Sequence, residues 1–110
     1  GDGVAQDDAQ AVRLMRKAAT QGHRQATFGL GVMYAEGRGV PRNLEAAFAL
    51  ISAIASPDEE MTQYRDMLLT HMPPGQRERA ERLADELRAT GVSEATMRRL
   101  APESDGQPAS

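Results

Sequence analysis

The segment Ala18-Ala19-Thr20-Gln21-Gly22-His23-Arg24-Gln25-Ala26-Thr27-Phe28-Gly29-Leu30-Gly31-Val32-Met33-Tyr34-Ala35-Glu36-Gly37-Arg38-Gly39-Val40 places glycine at both ends of a helical pattern. Gly22 follows an apolar run and supplies a left-handed C-cap, because a residue without Cβ reaches positive φ at no steric cost. From Arg24 to Glu36, the residues Ala26, Thr27, Leu30, Gly31 and Tyr34 share one arc of a helix, and the small ones let a neighbouring helix approach closely. Gly37-Arg38-Gly39-Val40-Pro41 cannot continue it, since two glycines permit positive φ and proline has no N–H to donate. The spacing therefore predicts a helix over 24–36 that is closed at Gly37, with Val40 inserting between helices after the loop.

Outward from this segment the pattern repeats. Residues 1–20 laid over 37–56 match at Gly1/Gly37, Gly3/Gly39, Val4/Val40, Ala11/Ala47, Leu14/Leu50 and Ala19/Ala55. A period of this length is the mark of stacked supersecondary units. Apolar residues at Ala11, Val12, Leu14, Met15, Ala18 and Ala19 predict a helix from Asp7 to Gln21 with Asp7 or Asp8 as its N-cap. Asn43 caps the next helix, Leu44–Ala55, which is apolar nearly all round and so expected to lie between neighbours.

After residue 56 the repeat stops. Ser56-Pro57-Asp58-Glu59 reads as a capping box with proline at the first helical position. Met61, Tyr64, Leu68 and Met72 then form one stripe up to Pro73-Pro74, and a helix over Gln76–Thr90 turns Ala80, Leu83, Ala84 and Leu87 inward beneath a charged face. Gly91 ends that helix, Ser93 caps a short one through Leu100, and 102–110 reads as a flexible tail. The division expected is a repeat region over 1–56, capping helices over 57–101, and the tail.

Composition narrows the function. The chain has 110 residues, no cysteine and a net charge of −3, which excludes disulfides, thiolate nucleophiles and cysteine-ligated zinc. Its acidic balance and sparse aromatics argue against nucleic acid, and no apolar stretch is long enough for a membrane span. Twelve Arg against one Lys point to a GC-rich bacterial source. Gly37-Arg38-Gly39 lacks the third glycine of a dinucleotide fingerprint. His23 and His71 stand apart with no carboxylate at ligand spacing, and no serine has a lysine three residues on. The acidic groups Asp58-Glu59-Glu60 and Glu78/Glu81/Asp85/Glu86 read as a helix N-terminus and a solvated face. No enzyme, cofactor or metal is expected.

The pattern Ala18-Ala19-x-Gln21-Gly22, Ala26, Leu30-Gly31, Tyr34, Gly37-x-Gly39-Val40 resembles the Sel-one-like repeat, a member of the tetratricopeptide-repeat-like α-solenoids. The resemblance implies an all-α, right-handed α-α superhelix of antiparallel helix pairs. It spans about half the chain, with the first unit lacking its leading helix and Asn43 standing where the family prefers Asp. By resemblance the chain is the C-terminal end of a longer array, a non-catalytic scaffold that binds a peptide or helix of another protein on its concave surface. Bacterial members are commonly periplasmic or secreted, and the resemblance leans this chain that way. The helix 24–36 lines that surface in the family, so Gln25, Phe28, Val32, Ala35 and Glu36 are the expected partner contacts. The competing expectation is that Phe28 and Val32 pack on a preceding repeat. A second functional class is self-assembly, with Val12 and Met15 on an unpartnered face of helix 8–21 driving dimerisation.

Overall fold

A computed structural model describes the backbone of residues 2–100 and the side chains of 7–97; the tail expected over 102–110 lies outside the described residues. Six helices follow in order: α1 (Asp2–Thr20), α2 (Arg24–Glu36), α3 (Leu44–Ser52), α4 (Glu59–Thr70), α5 (Pro74–Thr90) and α6 (Glu94–Leu100). No strand occurs among the described residues.

The glycine punctuation works as its chemistry requires. After α1 the His23 N–H reaches the Ala18 carbonyl at 3.1 Å and the Gly22 N–H reaches Ala19 at 3.0 Å, with Gly22 at φ 85. This is the Schellman closure. Gly37, at φ 70, ends α2 in the same way, the Arg38 N–H returning to the Met33 carbonyl at 3.0 Å. Asn43 caps α3 by accepting the Ala46 N–H at 3.0 Å. At α6, Ser93 Oγ accepts from the Thr96 N–H and Thr96 Oγ1 accepts from the Ser93 N–H, a reciprocal box.

Four boundaries differ from expectation. α1 continues through Asp7 and Asp8 to Asp2, so neither is an N-cap. Helix propensities differ by under about 1 kcal/mol per residue and do not halt a helix by themselves. Asp8 instead faces the loop after α2, accepting from Arg38 Nη2 at 3.3 Å. α3 ends at Ser52 rather than Ala55, closing in a turn whose Ala53 N–H returns to Ala49 and Leu50. The cap of α4 is Asp58, which accepts the Met61 N–H at 2.9 Å, not Ser56, whose carbonyl is engaged by Arg24. A carboxylate at this position also gains from the helix dipole. α5 begins at Pro74, with the second proline inside its first turn, where its missing N–H costs nothing.

α3 is the hub. It packs on α2, α4 and α5, and every residue from Ala46 to Ser52 is buried. α1 packs on α2, and α6 turns back to touch α1. Close approach of α2 to α3 depends on Gly31, where a Cβ would sit 2.8 Å from Ile51 Cγ1. The core holds Leu30, Tyr34, Leu50, Ile51, Met61, Leu87 and Met97, all nearly inaccessible. Burying a large apolar side chain contributes about 1.5–3 kcal/mol, so this hub is the main source of stability.

Candidate functional site

Two sides of α2 are accounted for. Leu30, Tyr34, Thr27 and Gly31 are buried, with Gly31 against α3, and Gly29 meets the Met15 thioether of α1. The remaining stripe carries Gln25, Phe28, Val32, Ala35 and Glu36.

The structure divides that stripe. Ala35 is 8% exposed and belongs to the core, which removes it as a contact for an outside molecule; its carbonyl accepts from Arg42 Nε at 3.2 Å. Phe28 is half-buried, and its ring meets Tyr64 of α4 edge-on, with centroids 5.6 Å apart and planes at 83°. Among the described residues the aromatic neighbour of Phe28 is thus on a following helix. Edge-to-face pairs of this kind contribute about 0.5–1.5 kcal/mol beyond the area they bury. Val32 is half-buried, while Gln25 and Glu36 are exposed.

Two residues of this face escaped the sequence reading. The spacing puts Tyr64 in one stripe with Met61, Leu68 and Met72, yet it stands at the stripe's edge and joins Phe28. Met67, one turn on, is 40% exposed. The available signal was the residue type, because a tyrosine keeps a polar tip near water at the margin of an apolar stripe. Burial raises the Tyr64 phenol above its ordinary value, and the negative charge of Glu36 raises it further. The electrostatic contact marks Glu36 as the acidic border of the same face.

The self-association residues fare differently. Val12 is 4% exposed, covered by the loop after α2; a Cβ on Gly39 would lie 2.9 Å from Val12 Cγ2 and 2.6 Å from the Asp8 carbonyl oxygen. Met15 is half-buried on Gly29. Among the described side chains of α1, the large apolar one left to solvent is Leu14, at 63% exposure.

Elsewhere, a cleft of about 590 Å³ opens between the ends of α1 and α3 and the α5–α6 turn, lined in part by Ala19, Thr27, Ile54 and Val92. Arg24 closes one side by donating to the Ser56 carbonyl at 2.7 Å. His71 Nδ1 lies 3.1 Å from the Met67 carbonyl, as a helix-end histidine does. Among the described residues no cluster of His, Asp or Glu is arranged to hold a metal ion, and no helix is long and apolar enough to cross a membrane.

Comparison with known families finds one model, the Sel1 repeat, which matches residues 1–23 and 24–56. No curated protein and no solved structure matches the chain.

Proposed function

Because the chain belongs to the Sel1 repeat family, a family of non-catalytic repeats that generally mediate protein–protein interaction, we propose that the face shared by α2 and α4 holds a partner protein. The observation that carries this reading is the Phe28–Tyr64 pair. It forms an apolar ridge between two helices, extended by half-buried Val32 and exposed Met67 and bordered by Gln25 and Glu36. An apolar centre with a polar rim suits a peptide or helix laid along the ridge, in the concave position that the resemblance assigns to this helix. Affinity in such a contact concentrates in a few anchors, here Phe28 and Tyr64 with Val32 and Met67 beside them.

The test is affinity capture from lysate of the source organism, wild type against Val32→Glu/Met67→Glu. Met67 is exposed and Val32 lies outside the buried core, so the variant is expected to keep its helical circular dichroism. The proposal expects a captured protein that the variant loses. Capture unchanged by the substitutions defeats it. If the only prey is the chain itself, self-assembly becomes the better reading, although of its expected drivers Val12 is buried and Met15 half-buried within the chain.

A further inference from the structure

The chain has six methionines and no cysteine, so its sulfur chemistry is that of thioethers alone. All six lie among the described side chains. Met33, Met61, Met72 and Met97 are buried, none more than 5% exposed. Met15 is half-buried, its sulfur 3.0 Å from where a Cβ on Gly29 would stand. Met67 is the exposed one, at 40%. Oxidation of a thioether needs access to its sulfur, so a small peroxide meets Met67 first.

Position gives that reaction a consequence. Met67 follows Tyr64 by three residues on α4, and helical spacing sets the two side by side at the margin of the face where Tyr64 meets Phe28. As a thioether Met67 adds apolar surface there. Its sulfoxide is polar, with an oxygen that accepts hydrogen bonds. In the free chain that oxygen stays in water, because the side chain is already open to solvent and outside the core. Beneath an apolar side chain of a partner it would be buried without a donor, and a buried acceptor left unpaired is costly. Oxidation at this position therefore spares the fold and acts on the contact.

We propose, resting on the reading that the α2–α4 face holds a partner, that Met67 is an oxidation site that switches this face between a partner-holding thioether and a partner-releasing sulfoxide. The oxidant is hydrogen peroxide. The sulfur lone pair attacks one peroxide oxygen, the O–O bond breaks as the S–O bond forms, and the other oxygen leaves as water with both protons. Sulfur gives up two electrons and the peroxide takes them. A sulfoxide reductase supplied with a dithiol reverses the step, releasing the oxygen as water and leaving the dithiol as a disulfide.

The experiment treats the purified full chain with graded hydrogen peroxide, removes the excess with catalase and locates the added oxygen by peptide mass spectrometry. Met67 should oxidise about tenfold faster than any of the other five, with helical circular dichroism unchanged at one oxygen per chain. The singly oxidised chain should then capture about tenfold less of the protein held by the untreated chain, and methionine sulfoxide reductases with dithiothreitol should restore it. Met67→Leu, apolar and without sulfur, should capture alike before and after peroxide, whereas Met67→Gln should capture poorly without any. The switch is overturned if a buried methionine oxidises as fast as Met67, if the first oxygen costs the helical signal, or if Met67→Leu loses capture after peroxide as wild type does. It fails alone, with the α2–α4 reading intact, if the oxidised chain holds the same protein as well as the untreated chain. If the untreated chain captures nothing, the α2–α4 reading fails and the switch falls with it.

Discussion

At the scale of single residues, glycines that look equivalent in the sequence carry different loads. Gly22, at φ +85, has nothing within 4 Å of where a Cβ would stand, so Gly22→Ala should cost only the left-handed backbone penalty, about 1 kcal/mol. Gly39 combines φ +75 with a Cβ position 2.6 Å from the Asp8 carbonyl oxygen, and Gly39→Ala should cost about 3 kcal/mol or more. Urea denaturation of the two variants followed by circular dichroism measures the difference. Positive φ was legible from the turn chemistry, but the clash was not, because Asp8 and Gly39 meet only after α1 and the loop are packed. Tyr64 offers a second check. Its raised phenol pKa means that the stability it contributes is complete below the ordinary tyrosine value and is lost as pH rises through the folded value. Absorbance titration, with Tyr64→Phe identifying the residue, should show it ionising above an ordinary tyrosine. Glu36→Gln should bring it only partway down, since burial is the larger cause.

At the scale of elements, caps were well foreseen where one residue type stood alone and poorly where several competed. Asn43 was the lone candidate before an apolar run, and it caps α3. At Ser56-Pro57-Asp58 both ends of the tripeptide are good caps, and local preference does not separate them. The choice falls to Asp58 in a loop where Arg24, from α2, engages the Ser56 carbonyl. Asp58→Ala should therefore cost about 1 kcal/mol while Ser56→Ala stays near zero, a contrast that thermal melts of the two variants resolve. The shortened α3 has a similar origin. Its apolar run continues through Ile54, but only burial against neighbours, not the helix itself, requires those residues to be apolar.

At the scale of the whole molecule, the repeat pairs Leu14 with Leu50 and Val12 with Phe48. Val12 and Phe48 are both buried, yet Leu50 is fully buried and Leu14 is 63% exposed. The same position in two units has opposite surroundings because α3 is enclosed by α2, α4 and α5, whereas α1 packs on α2 and touches α6. The contact of α6 with α1 joins the first and last described helices and agrees with a radius of gyration of 13.2 Å, about that of a rounded domain of this length. Since α3 packs on α2, α4 and α5, Leu50→Ala should destabilise the molecule by about 2–5 kcal/mol. Hydrogen exchange should then show amides of α2, α3 and α5 losing protection together; loss confined to α3 would contradict the hub. The sequence by itself determined the helices, their glycine and asparagine punctuation, the repeat and its family, because backbone conformation and periodic burial are set by residues near one another in the chain. Tertiary structure alone decided that Ala35 and Val12 are covered, that Phe28 leans on Tyr64, and that Met67 is the exposed one of six methionines. Exposure depends on which distant helix arrives at a face, and the pattern that makes a face apolar is the same whether the neighbour is another helix of this chain or a partner.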